Sequence, residues 1–119
     1  MNKHLQLVEA FHKKFHQPVS HSAMLIPQDR SEHRYQLMND EVQEYLEGTK
    51  KSDIVNIAKE LADILYTVYG TILEHGLQEK MDAIFEEVHR SNMSKDYHEY
   101  KMIKGESYFK ADVKKYLEE

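Results

Sequence analysis

Between Ile54 and Leu73 the apolar residues Ile54, Ile57, Leu61, Ile64, Leu65, Val68, Ile72 and Leu73 recur at intervals of three and four. That spacing puts a wide apolar face on an α-helix, as expected of a central helix with neighbours on more than one side. Ser52 and Asp53 are both candidate N-caps, and Gly76 after His75 is a natural C′ residue. Gly70, inside this stretch, costs about 1 kcal/mol relative to Ala and predicts a close helix contact at that point.

The rest of the chain repeats the theme. A first helix reads from about Lys3 to Phe15, with Leu5, Val8, Phe11 and Phe15 on one face. Pro18 and Pro27 bracket a connector that cannot be continuous helix. A second helix is expected from Arg30 or Ser31 to Glu47, with Met38, Val42, Tyr45 and Leu46 as its stripe and Gly48 as its C′ residue. The link to the central helix is short, so these two should be antiparallel neighbours. A fourth helix is expected from about Leu77 to Asn92, with Met81, Ile84, Phe85 and Val88 inward. No alternation of period two appears before residue 95, so the expected fold is all-α and like a four-helix bundle. A short aromatic and basic tail, residues 96–119, follows it.

At 119 residues the expectation is one domain, residues 1–119, with a thin core that a homodimer or homotetramer would complete. A net charge of −5 argues against a nucleic-acid partner, which needs a basic face. With no cysteine, neither a disulfide framework nor a thiolate metal site is possible. The charged N-terminus does not read as a signal peptide, and no apolar run is long enough to span a membrane. A cytoplasmic protein is the default.

Chemistry enters with two acidic pairs, Glu41 with Glu44 and Glu60 with Asp63. The i, i+3 spacing sets both carboxylates of a pair on one helix face, where like charges repel. Antiparallel pairing brings the 41/44 face against the 60/63 face. Four acids between two apolar helices would be costly without a cation in the gap. Oxygen-only ligands suit a hard ion such as Mg²⁺, with Mn²⁺ as the second choice. The eight histidines show no metal-binding spacing. Arg34, before Glu41, reads as a salt-bridge partner rather than a phosphate contact, Arg90 as a surface residue, and Tyr66 and Tyr69 as core or interface. Tyr108 reads as an anchor of the tail.

The run Asp40-Glu41-x-x-Glu44 followed by Glu60-x-x-Asp63 resembles the EExxE…ExxD signature of the all-α nucleoside triphosphate pyrophosphohydrolases. That superfamily contains MazG, the dimeric dUTPases and phosphoribosyl-ATP pyrophosphohydrolase. Val88-His89-Arg90-Ser91-Asn92-Met93-Ser94-Lys95 is similar to the fourth-helix end of MazG-like members, and Lys104-Gly105-Glu106-Ser107-Tyr108-Phe109 to the KGPNYF tail of one subgroup. The chain departs from the pattern at Asp40, where the signature has Glu, and at Glu106-Ser107, where the tail has Pro-Asn.

The resemblance implies that Glu41, Glu44, Glu60 and Asp63 hold Mg²⁺ at a triphosphate. Among the catalytic candidates Asp40, Glu41 and Glu44, either Asp40 or Glu44 would orient the attacking water. Asn92 and Lys95 would bind substrate; otherwise they simply end a helix and complement its dipole. The implied reaction takes a (deoxy)nucleoside triphosphate to the monophosphate and pyrophosphate, as in nucleotide-pool housekeeping. Phosphoribosyl-ATP cleavage is the alternative within the superfamily, and a non-catalytic nucleotide- or metal-binding helical module is the rival outside enzymology.

Overall fold

The computed structural model describes residues 2–118. Those residues form five helices and no strand, so the all-α expectation holds. They divide into two compact units, Asn2–Leu77 and the segment from Gln78 onward. No described helix is long and apolar enough to cross a membrane.

The first unit holds α1 (Lys3–Lys14), α2 (Gln28–Thr49) and α3 (Ile54–Glu74). Asn2 caps α1 by accepting the Leu5 N–H at 2.8 Å. α2 starts directly after Pro27, a few residues earlier than expected, because proline is compatible with a helix start. Asp53 caps α3 as expected, accepting the N–H groups of Val55 and Asn56. Gly76, with φ 69°, closes it as the left-handed residue.

Gly48 corrects the sequence reading: α2 runs through it to Thr49. It is buried where the Asn56 side chain presses on the helix, and a Cβ would collide with that amide. The glycine serves close approach rather than left-handed geometry. The turn takes its positive φ, 52°, at Ser52 instead.

α2 packs along α3, and α1 packs on α3 as well. The connector lies against the end of α3, with Ser20 N–H on Leu73 O at 2.9 Å and Met24 N–H on His75 O at 3.0 Å. Inside this unit sits an ion cluster. The Glu74 carboxylate, fully buried, accepts two hydrogen bonds from Arg30 at 3.0 and 2.7 Å and lies 3.3 Å from Arg34 Nη1. Arg34 therefore takes the salt-bridge role anticipated for it. The close contact anticipated at Gly70 also holds: a Cβ there would lie 2.8 Å from His12 Nε2 and 3.1 Å from Arg34 Cζ.

The buried apolar core of this unit is small: Leu5, Val8 and Leu73. Leu61 and Leu65, expected inward, remain 48% and 50% exposed. The apolar face of α3 is broader than α1 and α2 can cover.

The second unit holds α4 (Met81–Met93) and α5 (Val113–Leu117). α4 begins four residues later than Leu77, after a turn. Ile84 is buried, but Phe85 is 71% exposed and Val88 also faces outward, against expectation. The tail is pinned to α4 by polar contacts. Ser91 Oγ donates to Phe109 O at 2.8 Å, and Phe109 N–H donates to Ser94 Oγ at 3.1 Å. Glu87 accepts Arg90 Nε at 2.8 Å and the Asp112 N–H at 2.7 Å. These bonds pull its carboxyl down to about 2, the Arg90 hydrogen bond contributing most. Arg90 is exposed as expected, yet its guanidinium also stacks 4.3 Å from the Phe109 ring. The anchor is thus Phe109; Tyr108 lies under Lys104.

Candidate metal centre

Two helices of the first unit, α2 and α3, bring their acid pairs together. α2 and α3 run antiparallel, and each offers an acid pair on the face turned toward the other. One carboxylate oxygen from each of Glu41, Glu60 and Asp63 lies within 4.8 Å of the other two. Glu60 is 7% exposed, while Glu41 and Asp63 are half-buried. Glu44 is exposed at the rim, close enough for its side chain to hydrogen-bond Glu41.

The electrostatics follow from this crowding. Burial pushes the Glu41 carboxyl up to about 7, helped by the hydrogen bond with Glu44 and by the charges of Glu44, Asp63 and Glu60. A nearby cation gives partial relief: exposed Lys59 donates to Asp63 Oδ2 at 2.8 Å, and that bond raises the lysine. Glu41 Oε2 and Glu60 Oε2 are buried and have no hydrogen-bond partner among the described residues. Buried carboxylate oxygens are normally satisfied, and leaving them bare costs about 1–3 kcal/mol each or more. A hard divalent cation is the group that fits: three carboxylates converge, two of them carry a buried oxygen without a partner, and no sulfur or imidazole ligand is in the cluster.

The other sequence candidates fall elsewhere. Asp40 is exposed and accepts Gln36 Nε2 at 2.6 Å, outside the group of three. Asn92 and Lys95 lie in the second unit, on the turn that ends α4, where Lys95 N–H donates to Asn92 O at 3.1 Å. Asn92 is exposed and Lys95 half-buried.

One feature escaped the sequence reading. A cavity of about 460 Å³ is lined by Phe11 of α1, Phe15 just beyond its end, His33, Arg34 and Leu37 of α2, and Tyr66 and Thr67 of α3. Leu37 precedes Glu41 by one turn and Tyr66 follows Asp63 by one turn, so the cavity adjoins the acids along the groove. Phe11 meets Phe15 at 4.7 Å and the Tyr66 ring edge-on at 5.4 Å. Periodicity assigned all three aromatics to packing; only their partial exposure in the folded unit marks them as a lining.

No individual curated protein matches this chain. A family model does match, over residues 8–92, a span that contains all four acids of α2 and α3 and ends at Asn92. The chain belongs to the phosphoribosyl-ATP pyrophosphohydrolase family, within the MazG-like pyrophosphohydrolases that its acidic signature resembles.

Proposed function

We propose that this protein hydrolyses a nucleoside triphosphate between the α- and β-phosphates, with a divalent cation held by Glu41, Glu60 and Asp63 and completed by Glu44. The observation that carries the proposal is the meeting of three carboxylates with two unsatisfied buried oxygens. Mg²⁺, or Mn²⁺ in its place, would supply charge neutralisation on the phosphate oxygens as the bridging bond breaks. Water adds to phosphorus, the P–O bond to the leaving pyrophosphate breaks, and the water's proton must find a base. Glu44 is the better candidate for that base than Asp40, since it sits beside Glu41 and is exposed, whereas Asp40 is tied to Gln36.

The aromatic cavity beside the acids suits the nucleobase, because Phe11, Phe15 and Tyr66 present ring faces and edges for stacking. His33 at its wall can donate or accept to a base edge. Asn92 and Lys95 we assign to the substrate on their chemistry, Lys as a phosphate partner and Asn as donor and acceptor. The half-exposed leucines of α3 support a homodimer or homotetramer in which a second copy covers them. The net charge of −5 supports a partner that is a small nucleotide rather than a nucleic acid, and a cytoplasmic setting goes with a nucleotide-pool role.

The family match favours one second reading, in which the triphosphate is phosphoribosyl-ATP. A panel of (deoxy)nucleoside triphosphates and phosphoribosyl-ATP with Mg²⁺, scored by pyrophosphate release, decides between them. Release from none would overturn the enzymatic reading.

A further inference from the structure

We infer that Arg34 is a positioning residue: its guanidinium sets the axial register of α2 against α3 and thereby holds Glu41 opposite Glu60 and Asp63. The inference rests on the cation site proposed above. Arg34 is 5% exposed and crosses from α2 to α3, donating Nη2–H to Thr67 O at 2.8 Å and Nε–H to Thr71 Oγ1 at 3.1 Å. Its third nitrogen, Nη1, lies 3.3 Å from the Glu74 carboxylate on the same helix, which Arg30 also grips. Guanidinium geometry makes such a fork directional, so the contact specifies a position along the helix as well as a distance.

The spacing ties this clamp to the acids. Arg34 lies seven residues before Glu41, and Thr67 lies seven residues after Glu60. Between antiparallel helices, equal offsets carry one cross-link onto the other, so the Arg34–Thr67 bond dictates that residues 41 and 60 face each other. Seven residues span about 10.5 Å of helix, too far for Arg34 to touch the carboxylates' cation, so it acts through the backbone. A slip of one turn would move one helix by about 5.4 Å along the other. That exceeds the 4.8 Å within which the three carboxylate oxygens gather. Apolar side chains alone would tolerate such a slip more readily than a forked hydrogen-bond set.

Gly70 is part of the device. It lies between Thr67 and Thr71, and an alanine Cβ would press on the Arg34 guanidinium. The same Cβ would crowd His12, so Gly70→Ala disturbs two neighbours and a second variant is needed. Thr71→Val replaces with a methyl the hydroxyl that accepts Arg34 Nε–H and itself donates to Thr67 O at 2.8 Å and to Met38 Sδ at 3.7 Å, and Thr71→Ser keeps it.

The test is a Mn²⁺ titration of the full chain, read by loss of the free-ion EPR signal, well below each variant's melting temperature. Thr71→Val and Gly70→Ala should weaken Mn²⁺ binding about ten- to a hundred-fold, as loss of an outer-sphere support does. Thr71→Ser should restore the parental affinity. Leu5→Ala, which truncates a fully buried side chain that makes none of the clamp's hydrogen bonds, should lower the melting temperature and leave Mn²⁺ affinity unchanged. Parental affinity in Thr71→Val, with Glu41→Gln losing the ion, overturns the positioning role and leaves the cation site standing. Parental affinity in Glu41→Gln as well overturns the cation site itself.

Discussion

Replacing Glu41 by Gln should stabilise the metal-free protein at neutral pH while removing its response to Mg²⁺. The Glu41 carboxyl is raised from 4.5 to about 7, first by burial and then by Glu44, Asp63 and Glu60. A folded-state value above the unfolded one means that the protonated group favours folding. Its contribution is complete below about pH 4.5 and is lost as pH rises through about 7. At full weight that shift is worth about 3 kcal/mol, and solvent screening at a half-buried site reduces it to about 1–2 kcal/mol. The amide keeps the shape and never ionises, so the variant should escape this loss. Urea unfolding in EDTA at pH 5 and pH 8 measures it. Parent and variant should be close at pH 5, and the variant should be more stable by about 1–2 kcal/mol at pH 8, roughly 4–8 °C in melting temperature. Mg²⁺ at a hundred times its dissociation constant should then stabilise the parent by about 2.7 kcal/mol and the variant by far less. Equal pH dependence and equal Mg²⁺ stabilisation in the two proteins would refute the reasoning.

Lys95→Ala should bind Mn²⁺ like the parent but lose about ten- to a hundred-fold in kcat/KM for triphosphates, the ~1.5–3 kcal/mol of one charge-assisted contact. If the loss appears in stability instead, Lys95 only complements the α4 terminus. Sedimentation should give a dimer or tetramer at micromolar concentration; a stable 14.1 kDa monomer would contradict the covering of the α3 leucines by a second copy. Glu87, held near 2 by Arg90 and the Asp112 N–H, contributes stability above about pH 4.5 that is lost as pH falls toward 2. Glu87→Gln should flatten that acid limb, and hydrogen exchange at Asp112 should quicken at neutral pH; an unchanged exchange rate would show that the carboxylate does not anchor the tail.

Much of the fold and part of the site were legible in the sequence, for a local reason. Helix periodicity, the Asp53 cap, the left-handed Gly76 and the i, i+3 acid pairs each depend on residues within a turn or two. The short link made α2 and α3 antiparallel neighbours, which allows the two acid pairs to face each other once the register is set. What the sequence could not settle depends on register and on competition between surfaces. Gly48 looked like a helix end because its contact, Asn56, lies on the next helix. Phe85 and Leu65 looked like core because their period is right, yet burial depends on how much partner surface exists to cover them. The Arg30–Arg34–Glu74 cluster joins residues about forty positions apart, and nothing local marks Glu74 as fully buried. Likewise an acid pair in a sequence carries no pKa. Only when Glu41 is desolvated against Glu44, Asp63 and Glu60 does its carboxyl rise to about 7, because Coulomb energy depends on distances that tertiary structure alone sets.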